Sequence, residues 1–229
     1  MAIKGVDFSH WQSKVDCSKL AKAGIKFAIV KAGEVHIKTT NKPAVDDPLH
    51  DRNIRELKAA GIICGDYYYY HPSIGAAKQA RHYAAIRARN EPDLPPIIDI
   101  EDADGMKPAD VSKQLLAFID ELHRRTCQFP VIYSRNGFLV NQCGNPDWPP
   151  FTHFWIARYG LTIGDLSPNI KPNVIIWQYT DKLKIPGCPV MDGNVWMASD
   201  EEFLKFINQE LIIPPLDPTK SMWRYLRWV

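Results

Sequence analysis

Short apolar segments alternate with longer helical patterns from the start of the chain to about residue 134. The apolar segments are continuously hydrophobic, which is typical of parallel strands covered on both faces. Gly24 and Gly61 each follow a helical segment, where glycine readily adopts the left-handed conformation that ends a helix. This order predicts an α/β protein with a parallel sheet. The expected strands are IKGVDF, IKFAIVKA, IICGDYYYY, PPIIDI and FPVIYS.

The second part of the chain keeps the strands but loses most of the helices. THFWIARY, NVIIWQYT and GNVWM are joined by short stretches rich in proline and glycine, and a final helix begins near Asp200. About five βα units plus three further β-strands are most simply closed as a barrel with an incomplete outer ring of helices. An open doubly wound sheet is the alternative, but no glycine-rich phosphate loop follows the first strand. We therefore predict a modified TIM-like (β/α) barrel of the α/β class.

Composition argues against several classes of function. The 28 basic and 26 acidic residues nearly balance, which disfavours nucleic acid as a partner. No stretch of sequence reaches the roughly 20 apolar residues of a membrane helix. The five cysteines are an odd number without CxxC spacing, which predicts buried or half-buried thiols rather than a zinc site or a disulfide framework. We expect neither a bound metal nor another cofactor.

Acidic residues stand where strands of the predicted barrel end. Barrel enzymes carry their active sites at the carboxyl ends of the strands, and Asp7, Asp99, Glu101 and Asp192 lie at such positions. The period of two places Asp99 and Glu101 on one face, with backbone positions roughly 6.6 Å apart. Two carboxyls at that spacing can flank one glycosidic bond. Crowding should also hold a proton on one of them, as a general acid requires.

Other interpretations of these residues stay open on the sequence alone. Acids at strand ends also serve as helix caps or in loop salt bridges, and we interpret Asp102 and Asp104 in that way. Carboxylates near His71 could instead hold a divalent cation. Aromatic residues cluster near the same strand ends, where rings either stack on sugar faces or belong to the core. They are Tyr67 to Tyr70, Trp155, Tyr159, Trp177, Tyr179 and Trp196.

The order of short motifs resembles glycoside hydrolase family 25, the Chalaropsis-type lysozymes or N-acetylmuramidases. The resemblance covers about residues 3 to 210 and rests above all on D-x-E after an apolar run, on W-x-A-R-Y and on W-Q-Y. It implies a barrel of five βα units with extra strands, and hydrolysis of the β-1,4 bond between N-acetylmuramic acid and N-acetylglucosamine in peptidoglycan. The matching stretches are KGVDFSHWQ, GIKFAIVKAGE, AAGIICGDYYYY, AAKQARHYAA, PPIIDIE, VIYS, FWIARYG and IIWQYTDKLKIPGCPVMDGN.

By position in these motifs, the resemblance implies catalytic roles for the four acids. Glu101 corresponds to the general acid, and Asp99 to a residue that orients the N-acetyl group or stabilises positive charge on the substrate. Asp7 and Asp192 correspond to the other acids of the site. The course of the reaction is left open, and a substrate-assisted route is favoured because the substrate carries an N-acetyl group. The implied sugar contacts are Tyr67, Trp177, Gln178 and Tyr179, to which the aromatic clustering adds Tyr69 and Trp155.

The chain departs from the family pattern in two places. After Lys31, where the family commonly has A-T-E-G, this chain has A-G-E-V, in which Glu34 keeps the acid. Where many members have Tyr-His-Phe, it has three tyrosines at 67–69, so an imidazole is missing and His71 is the nearest substitute. All four acids are kept, so we expect activity.

The ends of the chain suggest a domain division and a setting. Residues 1–213 are predicted to form the catalytic barrel, and residues 214–229 a proline-containing linker and a basic, aromatic tail. That tail either contacts anionic envelope surfaces or packs its rings back on the barrel. The start of the chain does not have the pattern of a signal peptide. This favours a bacteriophage or prophage endolysin, made in the host cytoplasm and released to the cell wall through a membrane pore, and a bacterial autolysin or secreted effector would look similar.

The expected partner is bacterial peptidoglycan, and we expect the protein to act as a monomer. A non-catalytic barrel that binds peptidoglycan or chitin is the main competing function, and a metal-dependent hydrolase on the same carboxylates is another. A chitinase-like barrel is disfavoured because the D-x-x-D-x-D-x-E strand of that family is absent from the sequence.

Overall fold

The computed structural model describes residues 2–146, 148 and 152–208, which form nine strands and six α-helices. The strands are β1 (Lys4–Phe8), β2 (Phe27–Val35), β3 (Ala44–Asp46), β4 (Ile63–Tyr69), β5 (Ile97–Asp99), β6 (Val131–Ser134), β7 (His153–Ala157), β8 (Val174–Leu183) and β9 (Met191–Trp196). The helices are α1 (Cys17–Lys22), α2 (His50–Ala59), α3 (Ala76–Asn90), α4 (Pro108–Thr126), α5 (Asn136–Asn141) and α6 (Asp200–Ile207). The predicted linker and tail at 214–229 lie outside the described residues, as does the end of the predicted barrel domain.

Eight of the strands close into a barrel in the order β1-β9-β8-β7-β6-β5-β4-β2, and β2 pairs with β1 to complete the circle. Pairing is parallel from β1 through β2, β4, β5, β6 and β7 to β8, while β9 runs antiparallel to both β8 and β1. Strands β1, β2, β4, β5 and β6 each lead to a helix, and β7, β8 and β9 supply the remaining wall. The prediction of a barrel with five βα units and three further strands is confirmed.

Strand β3 was not predicted from the sequence. It pairs antiparallel with the last residues of β2, outside the barrel circle, with Gly33 opposite Asp46. A Cβ atom on Gly33 would lie 2.4 Å from the Val45 carbonyl oxygen, so β3 can close on β2 only because this residue has no side chain. Three residues following Pro43 carry too little periodic pattern to be recognised as a strand.

Two hydrophobic layers hold the barrel together. The interior contains Phe27, Ile97, Val131 and Trp155, and the rings of α6, including Phe203, close its amino-terminal end. The second, outer layer lies between the strands and the helices, where α3 and α4 pack on the outer face of β4 to β6. Burial on both faces explains why the parallel strands are continuously hydrophobic in sequence.

Helix ends follow the signals in the sequence. Gly24 and Gly61 have φ values of 83° and 69°, so the predicted left-handed glycines after α1 and α2 are confirmed. The final helix starts at Asp200 behind a capping box in which Ser199 and Glu202 bond each other's backbone amides. Of the helices in the described part of the chain, none has the length and apolar character that crossing a membrane requires.

The cysteine side chains are free thiols distributed over the fold. Cys17, Cys64 and Cys143 are buried and Cys188 is half-buried, as predicted. Cys127 is exposed, because it occupies the left-handed position that ends α4, so the prediction of burial is wrong there.

Candidate active site

The four predicted acids gather at one end of the barrel, where the parallel strands finish. Asp7 lies near the end of β1, Asp99 ends β5, and Glu101 follows two residues later. Asp192 lies at the start of β9, which reaches the same end because it runs antiparallel to β1, and it pairs in register with Asp7. The closed barrel therefore brings together acids that are separated by up to 185 residues in sequence.

We call this open end of the barrel the mouth. Two side-chain amides hold Asp7 in place at its floor. Its Oδ2 atom accepts hydrogen bonds from Gln178 Nε2 at 2.9 Å and from Asn194 Nδ2 at 2.7 Å. Each amide is oriented in turn by an aromatic side chain. The Tyr133 hydroxyl donates to Gln178 Oε1 at 2.9 Å, and the Trp155 indole donates to Asn194 Oδ1 at 2.8 Å. These bonds fix both amides with their donors towards the carboxylate.

Asp7 and Asp192 are neighbours on adjacent strands, and both have elevated pKa values. Burial raises the pKa of Asp7 well above its ordinary range, and the neighbouring charge of Asp192 raises it further. The amide donors of Asn194 and Gln178 act in the opposite direction but are outweighed. Burial likewise raises the pKa of the less enclosed Asp192. The pair consequently retains a proton at a pH at which two separate carboxyls would both be ionised.

Asp99 and Glu101 form a second pair with elevated pKa values. Burial raises the pKa of Asp99 well above its ordinary range, and the charge of Glu101 adds to the effect while Lys31 opposes it. Burial also raises the pKa of Glu101, against the charge of Arg135 and a hydrogen bond from the Asp99 carboxyl. Only 5% of Asp99 is exposed, whereas Glu101 is half-buried and opens to the mouth.

Asp99 and Glu101 stand two residues apart at the end of β5. That their carboxyls flank one glycosidic bond stays a prediction. The charge of Asp192, on β9, also raises the pKa of Glu101. Asp192 is therefore a further carboxyl that acts on Glu101 from another strand.

A buried lysine accompanies the acids and was not predicted as a site residue. Lys31 points inward from β2, is 8% exposed, and its ammonium lies 2.8 Å from Glu34 and 5.4 Å from the centre of the Tyr69 ring. Glu34 thus keeps a role at the mouth although the sequence around it departs from the family pattern. A signal was present in the alternation of β2, which places Phe27, Ile29 and Lys31 on one face.

Several tyrosines line the mouth. Tyr67 and Tyr69 alternate with the outward-facing Tyr68, and the charge of Asp99 raises the pKa of each after the larger effect of burial, so both predicted sugar contacts lie beside the acids. Burial, followed by the charges of Asp192, Asp181 and Asp7, raises the pKa of Tyr159 to about 12. Tyr159 is 55% exposed and so forms part of the rim. Tyr133 lies closer to the floor, and its place in a continuous apolar strand does not distinguish it from a core residue.

Four other predicted sugar contacts do not face the mouth. Trp155 and Gln178 are each 1% exposed and support Asp7 from below, so the prediction that they contact a sugar is contradicted by their burial. Because Gln178 faces inward, alternation puts Trp177 on the outer side of β8. Tyr179 lies at a register irregularity between β8 and β9, and its ring lies over Gly193 on the same outer side. The rings of Trp177 and Tyr179 contact each other at 5.9 Å between centres, and the Trp177 indole bonds the Arg158 carbonyl.

His71 does not take part in the group of acids. It is 6% exposed and its Nδ1 atom lies 3.0 Å from Asp104, which also accepts hydrogen bonds from Ser73. This agrees with the interpretation of Asp104 as a loop residue and leaves the missing imidazole unreplaced. Within the described residues, no three His, Cys, Asp or Glu side chains are grouped so that they could hold a metal ion.

Comparisons with known proteins bear on this arrangement. Residues 6–188 match the sequence model of the family described as Glycosyl hydrolases family 25. The uncharacterised protein YegX of Escherichia coli is 29% identical over 214 residues, which cover 90% of this chain and 74% of YegX. Lysozyme M1 of Streptomyces globisporus is 28% identical over 220 residues, covering 90% of this chain and 71% of that protein.

A solved structure extends the comparison to the fold. The muramidase from Acremonium alcalophilum superposes with a TM-score of 0.77 at 25% identity, covering 90% of this chain and 99% of that one. The range matched to the family contains Asp7, Asp99 and Glu101, and Asp192 lies four residues beyond it.

Proposed function

This chain belongs to glycosyl hydrolase family 25 and is a glycosidase, and we propose that its substrate bond is the β-1,4 linkage between N-acetylmuramic acid and N-acetylglucosamine in bacterial peptidoglycan. The similarity to two proteins named as a lysozyme and a muramidase supports this substrate. The observation that carries the proposal is the pair of Asp99 and Glu101, with one enclosed and one accessible carboxyl at the barrel mouth.

In the proposed reaction Glu101 is the general acid. The two carboxyls hold a proton at a pH at which an isolated carboxyl would have lost it. Glu101 is the member of the pair that is open to the mouth, so it delivers the proton to the glycosidic oxygen as the bond to the anomeric carbon breaks. Asp99 remains enclosed behind it, where it keeps the pair protonated and orients the Glu101 carboxyl.

Asp192 and Asp7 act on the other side of the sugar in this proposal. The partly exposed Asp192 carboxyl faces the ring from β9 and stabilises positive charge at the anomeric carbon. Asp7, held by Gln178 and Asn194, positions Asp192 and shares a proton with it. Tyr67 and Tyr69 border the same space and supply apolar faces with polar tips for the sugar.

We propose a substrate-assisted course, in which the carbonyl oxygen of the N-acetyl group attacks the anomeric carbon while Glu101 protonates the leaving oxygen. Water then attacks the anomeric carbon from the face from which the leaving group departed and breaks its bond to the N-acetyl oxygen, while the Glu101 carboxylate takes the proton of the water and is restored to the acid. Proton NMR of the first minutes of hydrolysis tests this course, because it requires the β-anomer to form first. Initial formation of the α-anomer would identify direct inversion.

The experiment that tests the function is mass spectrometry of soluble fragments released from purified, metal-stripped peptidoglycan, with borohydride labelling of new reducing ends. Wild type, Glu101→Gln and the distant control Glu201→Gln are compared. We expect labelled muramic acid ends from wild type and the control only. Labelled glucosamine ends would overturn the bond assignment. Binding to the walls without fragments would favour the non-catalytic barrel, and activity that is abolished by a chelator and restored by a divalent cation would favour a metal-dependent hydrolase.

We further propose a role in host cell lysis after release through a membrane pore, which is supported only by the proposed bond specificity. The protein is expressed inside a bacterium whose inner membrane is later permeabilised with chloroform. We expect culture turbidity to fall only after permeabilisation, and an earlier fall would contradict the need for a pore.

The envelope contact of residues 214–229 is a separate proposal, and deletion of that segment should reduce binding to anionic vesicles.

A further inference from the structure

A large aromatic side chain stands exposed just beyond the acids. Trp11 lies in the short 3-10 turn His10–Gln12 that follows β1, and 78% of it is exposed. Trp11 is four positions after Asp7 in the sequence, so the two backbone positions lie at most roughly 14 Å apart. A glycan strand bound at the acids can reach this distance with sugars that are not themselves cleaved.

The turn that carries Trp11 is rigidly bonded. The Ser9 hydroxyl accepts from the Trp11 backbone amide at 3.2 Å, and Gln12 Oε1 accepts from the Ser9 amide at 2.9 Å. Asp47, which is 5% exposed, accepts from the His10 backbone amide at 3.1 Å and lies 2.6 Å from the His10 ring. The His10 ring contacts the indole, with 4.5 Å between centres. The indole is therefore supported from one side and open on the other.

A pocket adjoins the turn on the side of β2 and β3. Its volume is about 250 Å³, and its lining includes His10, Lys31, Glu34, Asp46 and Asp47. Lys31 connects the pocket to the acids, because its charge acts on the Asp99 carboxyl. The pocket is close to the lower end of the size range for small-molecule sites, which suits one unit of a longer ligand.

The polar groups of this pocket are bonded to one another. Lys31 bonds Glu34 at 2.8 Å and Arg89 bonds Asp46 at 2.6 Å, while Asp47 accepts from the His10 backbone amide and lies 2.6 Å from the His10 ring. Because these groups already have partners, a charged ligand gains little there and loses its hydration. Hydroxyl and amide groups can still exchange hydrogen bonds with these side chains. The pocket is thus suited to a neutral, polar ligand such as an N-acetylated amino sugar.

We propose that Trp11 and this pocket form a distal subsite for an uncleaved N-acetylated amino sugar of the glycan strand. The exposed face of the indole stacks against the apolar face of the sugar ring, and the paired polar groups of the pocket bond its substituents. The inference rests on the proposed function, because it assumes that a glycan strand occupies the mouth. It predicts that Trp11 matters for long substrates and not for the cleavage step.

The kinetic test compares wild type, Trp11→Ala, Trp11→Phe and Leu204→Ala on two substrates. Leu204 is an exposed apolar residue on α6, at the opposite end of the barrel, and serves as the matched control. The substrates are long, peptide-free glycan strands and the tetrasaccharide with a single cleavable bond. For Trp11→Ala we expect KM on long strands to rise on the order of tenfold, with kcat on both substrates unchanged. Trp11→Phe should recover most of the loss, because it keeps a stacking face.

Equal loss on both substrates would show that Trp11 supports the catalytic site, and no change on either would show that no sugar stacks on it. Both results would overturn the subsite. A binding measurement separates this from failure of the proposed function. Long glycan strands are titrated into Glu101→Gln and into Glu101→Gln with Trp11→Ala, and tryptophan fluorescence is followed. We expect weaker binding and a smaller signal in the double variant, even if wild type proves unable to cleave the strands, and equal binding would overturn the subsite.

Discussion

Single carboxyl groups at the barrel mouth differ chiefly in their access to the open space above them. Asp7 and Asp99 are each 5% exposed, while Glu101 and Asp192 are partly open. Each enclosed acid is paired with an open one, and burial raises the pKa of both members. An enclosed carboxyl can hold a proton in reserve, and an open one can exchange it with a ligand. The division of roles therefore follows from burial as much as from residue type.

Replacing Glu101 by Gln should abolish proton donation without disturbing the fold. The amide is the same size and is neutral, and general acid catalysis typically contributes about 10²- to 10⁴-fold. We expect kcat to fall by that factor and the unfolding temperature to stay the same or rise. Hydrolysis assays and thermal unfolding check both outcomes. A variant that kept more than a tenth of wild-type activity would remove Glu101 from the role of acid.

Replacing Asp99 by Asn should increase stability at neutral pH while reducing activity. The folded-state pKa of Asp99 is raised, so its contribution to stability is greatest at low pH and declines as pH rises from about 3.9 through the raised value. Asn removes that cost, so the gain should appear at pH 7 and vanish near pH 3. Each kcal/mol gained would raise the unfolding temperature by about 2–4 °C. A gain of equal size at both pH values would contradict this account of its ionisation.

The residues at the mouth also show which site positions a sequence can reveal. Asp7, Asp99 and Glu101 follow or end recognisable parallel strands, and the fold rule for barrels assigns such positions to the site. Trp155 and Gln178 occupy equally suggestive positions, but their burial depends on how far each strand reaches beyond its neighbours. That stagger is set by pairing across the whole barrel and leaves no local trace in the sequence.

At the scale of elements, the extension of β2 beyond the barrel shapes the region beside the acids. β3 pairs with this extension, and the ribbon of the two strands contributes most of the lining of the pocket next to Trp11. The eight barrel strands were predictable because hydrophobic runs and helices alternate. β3 was not, because its pairing depends on the missing side chain of Gly33, at a position where the family commonly has a threonine.

Replacing Gly33 by Ala should loosen this ribbon. The new methyl group would lie 2.4 Å from the Val45 carbonyl oxygen and 3.1 Å from the Ile86 side chain, so the backbone of β3 must shift. We expect a loss of about 1–3 kcal/mol in the free energy of unfolding. Gly137→Ala is the matched control, because Gly137 lies within α5 with open space around it, and there alanine should add about 0.5–1 kcal/mol. Denaturant unfolding measures both variants, and equal effects would show that β3 does not depend on Gly33.

At the scale of the whole molecule, a buried polar network ties the outer helices to the barrel wall. Asp66 faces outward from β4 and is 0% exposed. It accepts hydrogen bonds from Arg87 and Tyr83 on α3 and lies 3.1 Å from the His50 ring on α2. Arg87 also bonds the Leu94 carbonyl at 2.7 Å, just before β5. Asp66 and the side chains bonded to it thus link α2 and α3 to β4 and to the segment just before β5, on the outer face of the barrel.

This network should make stability depend on the charge of His50. Burial opposes that charge, but the hydrogen bond and charge of Asp66, together with Asp51, raise the pKa of His50 above its ordinary value. A raised folded-state pKa gives a contribution that is complete below about pH 6.5 and is lost as pH rises through the folded-state value. His50→Gln should therefore reduce the free energy of unfolding by about 1–3 kcal/mol at pH 5.5.

The difference between wild type and His50→Gln should shrink as the pH is raised to 9, because wild-type His50 then loses its proton. Urea unfolding at several pH values measures the difference. His82→Gln is a suitable control, since its ring meets Asp46 at the surface, where an ion pair contributes little. A deficit of the same size at every pH would mean that His50 acts through packing alone. A deficit confined to low pH would establish that its charge, set against Asp66, holds α2 and α3 to the barrel.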